Sequence, residues 1–252
     1  MKWILLTILI GYVCFCLYLY LFQEKIIFRP DLAPKEVALN PHIEVVFIDG
    51  IEVGVVDKKS DTTIFYFGGN ANNALQALNT FAKFPYNSVT FNYPGYANSK
   101  GTPSQEAILQ TAQKIFDRFK TKRNLIIGRS LGSAVASFIA SNNSVDGVIL
   151  ITPFHSIAHL AKLKYPYCPV ALFLRHPFPT CQYIQKSDTK VYLLLAQHDT
   201  TTPPATTNKL IKCIKNLQEI YTIAHAQHAN ILEFEESWKK LEEFIEKVTK
   251  RD

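Results

Sequence analysis

Glycine is scarce in this sequence, with ten residues in 252 against the roughly 7% usual in globular proteins. Any place where several glycines gather therefore marks backbone that needs them. Charge is thin as well. Asp, Glu, Lys and Arg make up 19% of the chain and hydrophobic residues 48%, where an average domain carries about 25% charge. That balance excludes a disordered chain, which lacks the apolar surface to offset the entropy of ordering. The net charge is +6, from 27 basic and 21 acidic residues, yet no basic stripe carries it. Lys120, Lys122 and Arg123 form the nearest thing to a cluster, and no aromatics interleave with them. Nucleic acid is therefore not an expected partner. The five cysteines (14, 16, 168, 181 and 213) show no zinc-ligand spacing, so neither a metal nor a cofactor is expected.

The apolar excess is concentrated at one end. From Trp3 to Phe22, eighteen of twenty residues are hydrophobic, Thr7 and Gly11 being the exceptions. Twenty residues of helix rise about 30 Å, the thickness of a bilayer's hydrocarbon core. Trp3, Tyr18 and Tyr20 lie near the ends of the run, where amphipathic rings favour the interface. A cleaved signal peptide is the competing reading, but its apolar region runs only about 7–15 residues and ends at a small-residue site, which is missing here. The expectation is a single-pass membrane protein with residues 3–22 as anchor, 23–41 as a basic, proline-marked stalk and 42–252 as the catalytic domain. Lys2 on one side and Lys25, Arg29 and Lys35 on the other leave the positive-inside rule undecided. A short N-terminal tail usually stays inside, which places the domain outside the cytoplasm. There Cys168 and Cys181 could pair, although reduced thiols are the simpler expectation.

Beyond Pro41, short apolar runs alternate with helical patterns. Ile43–Ile48 and Ile51–Val56 read as a hairpin around Asp49-Gly50. Thr63–Phe67, Val89–Tyr93, Leu125–Ile127, Val148–Ile151 and Val191–Leu195 have the length and continuity of buried parallel strands. Helix-like segments fall near Asn73–Lys83, Ser104–Phe119, Leu131–Ala140, Ile157–Leu163 and Thr206–Lys215, and the last helix spans Ile231–Val248. The alternation predicts one doubly wound, mostly parallel α/β sheet with an N-terminal antiparallel hairpin.

The sharpest motif is Gly128-Arg129-Ser130-Leu131-Gly132, set between a strand and a small-residue helix. A strand-to-helix reversal this tight strains its central residue, and the flanking glycines remove side chains that would collide. Ser130 is the candidate nucleophile. A neutral hydroxyl needs a base, and the base an orienting acid; in this arrangement they follow in the order serine, acid, histidine. Asp199 lies directly after the strand Val191–Ala196, at the carboxyl edge where ligands bind. Asp188 precedes that strand and falls at the wrong edge. Of seven histidines, only His225 and His228 follow both Asp199 and the strand-like Leu217–Ile223. His228, nearer the final helix, is the preferred base, with His225 as the alternative. The backbone N–H groups of Leu131 and of Asn70, after Gly68-Gly69, are the candidate oxyanion donors. Six of the ten glycines (68, 69, 95, 101, 128 and 132) fall in these loops and in the segment Asn92–Pro103.

Together these residues resemble the α/β-hydrolase superfamily, and most closely its compact, membrane-anchored serine hydrolases, the group of serine-aminopeptidase-like sequences and protein depalmitoylases. Gln23-Glu24-Lys25-Ile26-Ile27-Phe28-Arg29-Pro30 resembles that group's stalk. Asn92-Tyr93-Pro94-Gly95-Tyr96 with Ser99, Gly101, Thr102 and Pro103 resembles its D-Y-R-G-Y-G-x-S-x-G-x-P segment. The resemblance assigns Ser130, Asp199 and His228 to the triad and Leu131 and Asn70 to the oxyanion hole. Gly68-Gly69 stands where the family has His-Gly, Ala196 where it has Gly, and Gln227-His228-Ala229-Asn230 where it has Gly-x-His-Asn. What it implies is a serine esterase or thioesterase acting on a small acyl substrate, lipid-linked ones included. Only 38 residues separate Ile151 from Lys190, enough for a small flap but not for the large helical cap of the superfamily's prolyl aminopeptidases and carbon–carbon-bond hydrolases. Those activities, and an inactive membrane-tethered binding module, are the alternatives.

Overall fold

A computed structural model describes residues 1–250. An apolar helix, α1 (Lys2–Ile27), precedes a hairpin of β1 (Glu44–Ile48) and β2 (Ile51–Val56). Asp49 and Gly50 at its turn both take positive φ, 51° and 79°, as a two-residue hairpin turn requires. The chain continues through β3 (Thr62–Phe67), α2 (Leu78–Phe81), β4 (Asn87–Phe91), α3 (Gln105–Phe119), β5 (Arg123–Arg129), α4 (Leu131–Asn142) and β6 (Gly147–Ile151). Three short helices follow, α5 (Ile157–Lys164), α6 (Val170–Phe173) and α7 (Thr180–Ile184), then β7 (Lys190–Ala196), α8 (Pro204–Ile211), β8 (Leu217–Ile223) and α9 (Glu235–Thr249).

The eight strands form one sheet in the order β1-β2-β4-β3-β5-β6-β7-β8. The hairpin pairs antiparallel with itself and with β4, and every later pairing is parallel. The central strands are apolar on both faces because helices cover both. Phe65, Phe67, Ile126, Val148 and Leu150 face the layer of α3, α4 and α8; Ile64, Tyr66, Leu125, Ile127, Ile149 and Ile151 face α2 and α9. On α9, Leu241, Phe244, Ile245 and Val248 recur at helical spacing and are buried, each worth roughly 1.5–3 kcal/mol of burial.

The helix expected over Ile231–Val248 is broken. A 3-10 turn covers Ile231–Glu233, Phe234 is extended, and α9 starts at Glu235. The Ser237 hydroxyl and the Trp238 indole N–H bond back to the carbonyls of Ile231 and Leu232, so side chains take carbonyls that a continuous helix would pair with backbone. The segment Asn73–Lys83 is likewise a 3-10 turn (Ala74–Ala77) leading into a single turn of α-helix. The cysteines differ from expectation as well. Cys181 on α7 is bridged to Cys213 just beyond α8, their Cα atoms 5.5 Å apart. Cys168 is free, and its sulfur lies 3.5 Å from that of Cys16 on α1.

Candidate active site

The elbow lies at the carboxyl end of β5, in the middle of the sheet. Ser130 has φ 51° and ψ −117°, a backbone conformation that costs of order 1–3 kcal/mol in a non-glycine residue. Main-chain contacts hold it there: the Ser130 N–H donates to the Ile151 carbonyl at 2.9 Å. The glycines are needed for space. A Cβ on Gly132 would sit 2.1 Å from the Phe67 carbonyl oxygen, and one on Gly128 would sit 2.3 Å from the Gly132 carbonyl oxygen. With both bare, α4 packs against β3 and β5 and raises Ser130 above the sheet edge.

Asp199 and His228 converge on that edge from the loops after β7 and β8. His228 Nε2 is 2.8 Å from Ser130 Oγ, and His228 Nδ1 is 2.8 Å from Asp199 Oδ2. Asp199 is buried, and burial pushes its carboxyl up. Hydrogen bonding and charge attraction from His228, with hydrogen bonds from the Thr202 N–H and hydroxyl, outweigh that and hold it below its ordinary value. Its Oδ1 accepts the N–H groups of Thr201 and Thr202 at 2.9 and 2.6 Å, and its Oδ2 accepts the Thr202 hydroxyl at 2.7 Å. An ionised carboxylate so held can fix the imidazole in one orientation.

The other two candidates lie elsewhere. His225, at φ 60°, is exposed and turned toward the His198 ring, 6.3 Å away between centroids. Asp188 is exposed at the opposite edge of the sheet and pairs with Lys215 at 3.1 Å.

The loop Gly68–Ala71 lies across from the elbow, and a Cβ on Gly69 would come within 3.6 Å of Ser130 Cβ. Leu131 is the first residue of α4, so its N–H has no partner within the helix. Buried tyrosines brace the facing loop. Tyr93 donates its hydroxyl to the Gly68 carbonyl at 2.7 Å, and Tyr96 donates its own to Asn70 Oδ1 at 2.8 Å. Asn70 Oδ1 and the Tyr96 oxygen also accept the Arg29 N–H at 3.1 and 3.0 Å, and Phe28 is buried in the core. The segment after α1 is thereby stitched to the loop beside Ser130.

No family model matches the chain. It is 26% identical over 223 residues to the α/β hydrolase domain-containing protein WAV2 of Arabidopsis thaliana, covering 73% of this chain and 72% of that protein. It is 31% identical over 122 residues to the lysophosphatidylserine lipase ABHD12 of Macaca fascicularis, covering 43% of this chain and 30% of the lipase. An esterase of Pyrococcus furiosus superposes with a TM-score of 0.66 at 18% identity, over 86% of this chain and 97% of the esterase. The chain has the α/β-hydrolase fold.

Two residues of this α/β-hydrolase escaped the reading of its sequence. Thr202, besides its bonds to Asp199, has its hydroxyl 3.2 Å from the Thr152 carbonyl and 3.3 Å from His228 Nδ1. Arg129 donates from Nη2 to the Ala229 carbonyl at 2.7 Å and reaches the His228 carbonyl at 3.4 Å, tying the histidine loop to the elbow. Arg129 stands at the open position of the glycine motif, and Thr202 is one of three consecutive threonines after Asp199. The first had a usable signal in its motif and the second had none.

Proposed function

We propose that this α/β-hydrolase is a membrane-anchored serine hydrolase that cleaves carboxylic ester or thioester bonds through an acyl-enzyme. The carrying observation is the unbroken hydrogen-bonded chain Asp199–His228–Ser130, ending on a serine in a strained elbow. Ser130 Oγ attacks the substrate carbonyl while its proton passes to His228 Nε2. Asp199 stabilises the resulting imidazolium without taking the proton. The oxyanion of the tetrahedral intermediate accepts the N–H groups of Leu131 and Asn70, each such donor being worth about 10²–10³ in rate. His228 then returns the proton to the leaving alcohol or thiol. Water, deprotonated by His228 in turn, releases the acid and restores Ser130.

Residues 3–22 serve as the anchor, and the domain lies on the extracytoplasmic side. Support for the anchor is the apolar helix α1, long enough to cross a bilayer and exposed along nearly all of its length, a surface that lipid covers at less cost than water. Support for an ester or thioester comes from the small flap, which leaves room for an acyl group. Labelling by a fluorophosphonate probe tests the reading. Wild type labels and Ser130→Ala does not; a folded wild type that fails to label refutes the serine-hydrolase assignment.

A further inference from the structure

Helix α1 does not end at the protein surface but runs on into it. Gln23 Oε1 accepts the Arg175 N–H at 2.7 Å, its Nε2 donates to the Phe173 carbonyl at 3.1 Å, and Glu24 pairs with Arg175 at 3.0 Å. Farther up, the Tyr12 hydroxyl donates to the Tyr167 carbonyl at 2.8 Å. The flap therefore follows the helix from Gln23 back to Tyr12, about 17 Å of helix at 1.5 Å per residue. Most of that length lies within the apolar run 3–22. Among the described residues, eight large hydrophobic side chains beyond the C-terminal end of α1 are exposed. Four of them, Leu163, Tyr167, Leu172 and Phe173, lie on the flap beside the helix. Water is a poor neighbour for that patch, whereas lipid chains continue it.

Between helix and flap lies a cavity of about 570 Å³, within the usual range of about 300–1,000 Å³ for ligand sites. Leu19 and Ile26 of α1 form one wall, and Leu160, Val170 and Leu174 of the flap form the other. Thr201 and Pro203 also line it, and the Thr201 N–H is one of the groups that hold Asp199. An apolar space thus leads from a lipid-facing helix to the loop that carries the candidate acid.

We infer that this cavity receives the long acyl chain of a lipid ester sideways from the bilayer, with the anchor helix as one of its walls. The inference rests on the serine-hydrolase reading and names its substrate class. A chain moving from hydrocarbon into an apolar cavity exchanges one apolar surrounding for another, whereas a route through water exposes every methylene. The anchor is then part of the substrate site as well as a tether.

The test uses the full chain in phosphatidylcholine vesicles, with p-nitrophenyl butyrate and p-nitrophenyl palmitate as substrates. Leu19→Trp and Leu160→Trp fill the cavity from its two walls, and each lowers the palmitate-to-butyrate ratio of kcat/KM by about tenfold or more. Leu21→Trp, on an exposed position of the helix, leaves the ratio unchanged. A second measurement does not depend on the variants folding. A palmitoyl-length fluorophosphonate carrying a terminal diazirine is attached to the wild type and irradiated. Its cross-links are expected on the peptide containing Leu19–Ile27. Unchanged ratios in both cavity variants, or cross-links that miss this peptide, overturn the inference while leaving the hydrolase reading intact. If a short fluorophosphonate fails to label wild type, the hydrolase reading falls, and this inference with it.

Discussion

Between Gly128 and Gly132 a single added carbon would collide with main chain, whereas between Leu163 and Phe173 four large apolar side chains stand uncovered. The elbow lies over the central strands with helices packed around it. The flap consists of one- and two-turn helices, of which α6 lies against α1 and α7 against α4. Groups that must hold a proton-transfer geometry to fractions of an ångström need walls that cannot relax. Under the inference above, the flap is a surface that meets lipid chains of varied shape and gains from side chains that can repack. The molecule keeps these demands apart, and they meet only in the loop from Asp199 to Pro203, which holds the histidine on one side and lines the apolar cavity on the other.

That contrast can be broken by experiment. Ser130→Ala has the largest expected effect, a fall of up to about 10⁶ in kcat, measured on a p-nitrophenyl ester with circular dichroism to show that the fold persists. A loss of only a few-fold would mean that the elbow does not carry the chemistry. Gly132→Ala comes next. Its new Cβ meets a carbonyl of the neighbouring strand, and backbone cannot swing aside, so the expected cost is about 3 kcal/mol. Leu172→Ala on the flap should stay within about 0.5 kcal/mol. Denaturant melts of the two variants in the same detergent compare them, and equal losses would erase the distinction.

Thr202→Val removes the hydroxyl from Asp199 Oδ2 and keeps the shape. A hydrogen bond to a charged group is worth about 1.5–3 kcal/mol, so kcat/KM should fall by roughly ten- to a hundredfold with KM little changed. The smallest effect concerns pH. Because the folded state holds the Asp199 carboxyl below its ordinary value, its contribution to stability is complete above the unfolded carboxylate pKa, about 3.9. That contribution is lost as pH falls through the lower folded value. Asp199→Asn should flatten this part of the stability–pH curve. An unchanged acid limb would show that the paired carboxylate contributes nothing to it.

Much of the fold could be read from the chain. Buried parallel strands are short, continuous and apolar, and each of the strands named in advance corresponds to one in the sheet. Helix ends were harder. The break at Phe234 depends on Ser237 and Trp238 capturing carbonyls, a competition that periodicity does not register. The side chains that meet at the sheet edge, Ser130, Asp199 and His228, were legible because chain order and strand ends restrict which residues can gather there. Thr202 was not, since nothing local marks which of three threonines turns its hydroxyl to Asp199 and His228, and the motif that places Arg129 does not tell that it reaches carbonyls 99 and 100 positions away.

The cysteines and the stalk show the limit most clearly. Spacing allowed Cys168 to pair with Cys181, and the fold brought Cys181 beside Cys213, just beyond α8, instead. Phe28 and Arg29 read as part of a linker, yet one is buried in the core and the other is bonded to Asn70 and Tyr96 beside the elbow. By itself the sequence determined the apolar helix, the mostly parallel sheet and the glycine-flanked turn, because each follows from local periodicity or steric need. Only the tertiary structure decided which loops brace the histidine, which cysteines meet, and that the helix end joins the flap around a cavity. Those outcomes depend on contacts between segments far apart in the chain, and no local pattern encodes them.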